Sequence, residues 1–161
     1  MQILVIYDSQ YGNTAKIAHA IGEALRAYGD VAVLRVSEVR PEHWAGAGLL
    51  IAGSPTQRFR PLPSITQLLA GIPPRGLAGV KVAAFDTRVP DEVVNSGVYS
   101  FFVRFMGYAA KPIADALVKK GGELVAPPEG FIVVGMEGPL KEGELGRGER
   151  WAQGIVRDIG G

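Results

Sequence analysis

The sequence predicts an α/β fold, a three-layer α/β/α sandwich formed as a single domain over residues 1–161. Short β-branched apolar runs alternate with segments whose apolar residues recur at helical spacing, the pattern of parallel strands joined by crossover helices. Turn formers are plentiful, with 22 glycines and 11 prolines in 161 residues, as many tight strand–helix connections require. No internal repeat, linker or low-complexity stretch divides the chain. A domain of this length buries roughly 70% of the surface its unfolded form exposes, enough for a core without staples.

The elements follow in order. Residues 3–7 (Ile-Leu-Val-Ile-Tyr) are continuously apolar, as a strand covered on both faces should be. Residues 13–28 place Ile17, Ile21, Ala24, Leu25 and Tyr28 on one helical stripe, with Gly29 as the stop. Strands are expected at 31–36 and 49–53, joined through a loop in which His43 and Trp44 pack. Ile65, Leu68, Leu69 and Ile72 mark a short helix, closed by Pro73-Pro74, and 80–85 is a fourth strand. A helix over 110–120, with Ile113, Ala114, Leu117 and Val118 inward, stops at Gly121-Gly122. The fifth strand is expected at 131–134, the run 141–144 as a solvated turn, and the closing helix at 145–159 with Trp151 as its anchor.

Composition removes several functional classes. With no cysteine there is no disulfide, zinc ribbon, iron–sulfur cluster or thiol nucleophile, and two histidines, His19 and His43, do not make a multi-histidine metal site. A formal charge of +1 argues against nucleic acid as a partner. No apolar run reaches the ~18 residues of a membrane span, and the first seven residues read as a strand rather than a leader, so a cytoplasmic protein is expected.

The chemistry concentrates between the first strand and the first helix, in Asp8-Ser9-Gln10-Tyr11-Gly12-Asn13-Thr14. Hydroxyls of Ser9 and Thr14, the Asn13 amide and the N–H groups of residues 10–14 gather at a helix N-terminus, where the partial positive charge suits a phosphate. Gly12 lets the backbone approach closely or take a positive φ. No lysine follows it at the spacing of a triphosphate loop, so the turn suits a monophosphate held by neutral donors. A plain helix cap by Ser9 and Asn13 is the alternative reading of the same residues.

This segment resembles the flavodoxin-like family, whose apolar strand is followed by Ser/Thr-x-Thr-Gly-Asn-Thr; Tyr11 stands where many members have Thr. Gly53-Ser54-Pro55-Thr56 and the stretch from Gly135 to Leu140 extend the similarity over nearly the whole chain. The resemblance implies a five-stranded parallel sheet of order 2-1-3-4-5 with FMN at its carboxyl edge; flavodoxin is itself a standard example of that order and site. By matching position it implies that Ser9, Gln10, Gly12, Asn13 and Thr14 hold the phosphate, with Tyr11 at the cofactor in place of the usual Thr donor. Ser54, Pro55 and Thr56 would reach the phosphate or ribityl chain, and Gln57, Arg58 and Phe59 would face the ring. Asp86, Thr87 and Arg88, with Tyr99, would cover its other side.

Two departures bear on function. The flavin loops carry Arg58, Arg60 and Arg88 where carrier flavodoxins are acidic, and cations beside a flavin stabilise its anionic reduced form; solvated loop charges are the alternative. The segment 98–106 carries an aromatic stripe, readable as core, as a quinone pocket or as a homodimer contact. The functions implied are electron transfer with a redox protein partner, a small FMN-dependent NAD(P)H:quinone-type oxidoreductase, or a flavin-free interaction module.

Overall fold

A computed structural model describes residues 1–90 and 107–160. Strand β1 (Gln2–Tyr7) pairs in parallel with β2 (Asp30–Arg35) on one side and with β3 (Leu49–Pro55) on the other. Next to β3 lies β4 (Lys81–Arg88), so the order is 2-1-3-4. The fifth position is filled by two short strands on the same edge of β4: β5 (Glu123–Leu124) and β6 (Glu129–Ile132). Lys81 and Val82 face Glu123 and Leu124, whereas Phe85 faces Glu129. Residues 125–128 therefore oppose only Ala83 and Ala84, and the excess loops out where Pro127 and Pro128 lack the N–H a ladder needs. The expected 2-1-3-4-5 order holds. The strand expected at 131–134 instead begins at Glu129, and Val134 lies beyond it, 51% exposed.

Alternation along β1 divides the core. Ile3, Val5 and Tyr7 face α1 (Asn13–Leu25) and α5 (Glu144–Gly160), packing with Ile17, Ile21, Phe85, Phe131 and Ile155. Leu4 and Ile6 face the opposite layer of α2 (Pro41–Ala45), α3 (Pro63–Ala70) and α4 (Ala110–Lys119), with Trp44, Ile65, Leu69, Ile113 and Leu117. A strand with apolar layers on both faces reads as an unbroken apolar run.

Several local expectations are corrected. Helix α1 ends at Leu25, leaving Tyr28 exposed in the following turn, and Val118 points outward from α4. Glu144 is no solvated turn residue: it opens α5 nearly buried, paired with Arg147. Trp151 is half-buried and meets Phe85 and Phe131 edge-on, while His19 is exposed with its ring against Tyr7. Trp44 is buried, and His43 Nδ1 accepts the Arg40 N–H at 2.9 Å. No helix among the described residues is long and apolar enough to cross a membrane.

Candidate functional site

Parallel register brings the carboxyl ends of four strands into line. Tyr7 pairs with Gly53, Pro55 with Thr87, and Arg88 with Ile132. The segments that leave these ends therefore converge on one edge of the sheet, around a cavity of about 580 Å³.

The first wall is the turn from β1 into α1. Asp8 anchors it: Oδ1 accepts the Ser9 N–H at 2.9 Å and an Arg35 N–H at 2.8 Å, and Oδ2 accepts the Ser64 hydroxyl. Ser9 Oγ accepts the Gly12 N–H at 3.0 Å, which leaves its own proton available. Gly12 sits at φ +92, a conformation that glycine takes without steric cost. Among the described residues no acceptor meets the N–H groups of Gln10, Tyr11, Asn13 and Thr14. Asn13 Nδ2 donates to the Glu137 carbonyl at 3.1 Å. Gly138, at φ +103, allows that approach, since a Cβ there would fall 2.6 Å from Asn13 Nδ2. The Thr14 and Thr87 hydroxyls meet at 2.7 Å, both buried.

The opposite wall is the segment after β3. Gln57 and Arg60 exchange both backbone hydrogen bonds, so Arg58 and Phe59 form a two-residue turn with φ +49 and +69. Primed hairpin turns of this kind ordinarily recruit Asn and Gly; here two bulky residues occupy it. The Gln57 amide donates to Gln10 Oε1, bridging the two walls.

Most of the expected residues line the cavity: Ser9, Gln10, Tyr11, Asn13 and Thr14 from the turn, Pro55, Thr56, Gln57, Arg58 and Phe59 after β3, and Thr87 and Arg88 at the end of β4. Three expected residues do not. Gly12 shapes the turn from behind. Ser54 is fully buried, its Oγ accepting the Leu62 N–H and donating to the Pro55 carbonyl, both at 2.9 Å. Asp86 is also fully buried, and its carboxylate is taken by Arg88 in two bonds of 2.7 Å and by the Ala110 N–H at 2.9 Å. Burial pushes the Asp86 carboxyl above the usual carboxylate range, and the Arg88 guanidinium pulls the other way. The same guanidinium stacks 3.7 Å from the Tyr108 ring and fills the space that a Cβ on Gly130 would claim. Arg88 therefore lies beside the cavity with its charge already balanced. Tyr99 and the aromatic stripe of 98–106, with the pocket and dimer readings placed on it, lie outside the described residues.

Val89, Val133 and Met136 line the cavity without having been expected there. The apolar run at 131–134 places Val133 on a strand. Met136 lies within the Gly135–Leu140 similarity, and its position between the two glycines was the available signal.

A family model for flavodoxins matches residues 5–130. The chain belongs to the flavodoxin family. Membership implies a flavin cofactor and electron transfer as the chemistry. Solved structures share the fold: a flavodoxin from the domain Archaea at 23% identity, with both chains covered in full and a TM-score of 0.74, and the oxidised Flavodoxin 2 of Bacillus cereus at 22%, covering 98% and 99%, with a TM-score of 0.75. The rubredoxin oxygen:oxidoreductase of Desulfovibrio gigas, at 21% and a TM-score of 0.72, matches 99% of this chain and 37% of its own. Among curated proteins no sequence matches this flavodoxin-family chain.

Proposed function

We propose that the chain binds FMN in this cavity and carries electrons between protein partners. The observation that supports the reading is the set of N–H groups at Gln10, Tyr11, Asn13 and Thr14, without acceptors among the described residues, on the wall of the cavity and at the N-terminus of a 13-residue helix. Converging donors in that position favour an anion. The donor set fits a phosphate monoester: the hydroxyl of Ser9 and the second N–H of the Asn13 amide add to the backbone groups, and no lysine lines the cavity. Each bond to a charged group contributes ~1.5–3 kcal/mol. The less polar part of the cavity, with Pro55, Phe59, Val89, Val133 and Met136, suits a flat apolar ring system, and about 580 Å³ lies within the range of small-ligand sites.

Bound flavin supplies one- and two-electron redox chemistry. The protein's part is to hold and surround it. The β1–α1 turn would hold the phosphate end, the Asp8–Arg35 and Asn13–Glu137 contacts tie that turn to its neighbours, and Phe59 and Met136 would line the space for the ring.

Titrating the flavin-free protein with FMN should quench flavin fluorescence with one site per chain. Changing Ser9 and Asn13 together to Ala should weaken binding about 100-fold, two lost charged-group bonds at the low end of their range; undiminished FMN retention by the double variant would defeat the assignment. A carrier should oxidise NADPH in the presence of benzoquinone only when a reductase is added. Rapid turnover by the protein alone would instead make it a quinone-type reductase.

A further inference from the structure

Phe59 belongs to two cavities. The second, about 600 Å³, is a groove between α3 and α4 walled by Arg60, Pro61, Pro63, Leu69 and Ile113. The described residues lining the two include three arginines, Arg58, Arg60 and Arg88, and no carboxylate. Asp86 balances Arg88. Arg58 and Arg60 are exposed and have no acidic partner among the described residues. The flavin cavity is also rimmed by exposed apolar groups, Tyr11 at 46% and Met136 at 83%. Glu137, next to Met136, is exposed and is the acidic exception among the described residues.

An apolar patch bordered on one side by positive charge is the complement of an apolar patch bordered on one side by carboxylates. We propose that this face docks an acidic electron-transfer protein, with Arg58 and Arg60 meeting carboxylates beside the partner's redox centre and Tyr11 and Met136 packing at the middle. The inference rests on the carrier reading and adds the sign of the partner's charge. A formal net charge of +1 leaves no long-range repulsion against such a partner.

The test uses FMN-loaded protein and two haem proteins of opposite charge, acidic cytochrome b5 and basic cytochrome c. Affinity is read by calorimetry at about 20 mM and about 200 mM salt, the range over which exposed charges become screened. Electron transfer is read by stopped flow after chemical reduction of the flavin. Each fully reduced flavin, as its anion, gives up two electrons, so two ferric haems become ferrous and the one proton on flavin N5 passes to buffer. Cytochrome b5 should bind tighter than cytochrome c at low salt and lose about tenfold in affinity at the higher salt. Arg60→Glu, outside the flavin cavity, should weaken cytochrome b5 binding, and adding Arg58→Glu should reverse the preference; Arg58→Lys with Arg60→Lys should keep it. Tighter binding of cytochrome c by the unaltered protein, or a preference untouched by charge reversal, would overturn the proposal. Visible absorbance reports flavin uptake separately. If FMN never binds, the carrier reading falls, while calorimetry on the flavin-free chain still decides the sign of the docking surface.

Discussion

Arg88 shows how one residue's role depends on its neighbours. By composition it is a free cation beside the cavity; in the fold two of its three guanidinium nitrogens fork onto Asp86, its plane lies on Tyr108, and Gly130 makes room for it. Asp86 has no exposed surface and Arg88 is partly exposed, so loss of the arginine leaves the carboxylate buried without its counter-charge. Removing one member of a buried pair typically costs ~3–5 kcal/mol, because the remaining charge is stranded. Arg88→Gln should therefore cost about that much in urea unfolding at neutral pH. The sign of its pH dependence follows from burial, which already raises the Asp86 carboxyl. Without Arg88 that carboxyl rises further, the native state holds a proton that the unfolded chain has released, and stability falls as pH climbs through that window. The deficit should be smaller at about pH 5 than at about pH 8. An equal deficit at both would mean that Asp86 stays charged without its arginine.

Between elements, the join of α5 to β6 rests on Glu144. Its Oε2 accepts the Ile132 N–H at 2.7 Å, Arg147 bonds both of its oxygens, and Arg147 continues to Glu129 at 3.2 Å while lying over the Phe131 ring. The hydrogen bond from Arg147 holds the Glu144 carboxyl below its usual range. A lowered native value adds stability that is complete above the ordinary glutamate range and is lost as pH falls through the native one. Glu144→Gln should cost about 1–3 kcal/mol at neutral pH and flatten the acid limb of the stability profile; an unchanged limb would remove Glu144 from the account. The closing helix was legible in sequence but this join was not, since Lys-Glu-Gly-Glu has the composition of a solvated turn and only the long-range contact with Ile132 reveals otherwise. Strand β1 was legible because burial on both faces leaves an apolar run. The start of the fifth strand and its division into β5 and β6 were not, because Glu129-Gly130 has little strand character and β6 is set by pairing with β4. The site divides in the same way. The turn at Ser9–Thr14 announces itself through local donors and a glycine, whereas Gly53-Ser54 looked like a ligand loop and proves to be framework: a Cβ on Gly53 would fall 2.1 Å from the Phe85 ring that packs against it.

The cavity exists only in the assembled molecule, because its walls come from the ends of β1, β3 and β4 and from the residues after β6, far apart in sequence. An unfolded chain offers no such convergence, so FMN should bind the native state alone and stabilise it by mass action. At 100 times its dissociation constant a ligand adds about 2.7 kcal/mol. For a domain of this size each kcal/mol moves the midpoint by about 2–4 °C, so FMN should raise Tm by about 5–11 °C in a calorimetric scan. Riboflavin presents the same ring without the phosphate and cannot engage the donors of the β1–α1 turn. At the same concentration it should produce little or no shift, since several charged-group bonds at ~1.5–3 kcal/mol each amount to a loss of at least 1000-fold in affinity, roughly. Equal shifts from the two flavins would mean that the ring alone drives binding. The turn would then be a helix cap, and the electron-carrier reading would lose the contact on which it stands.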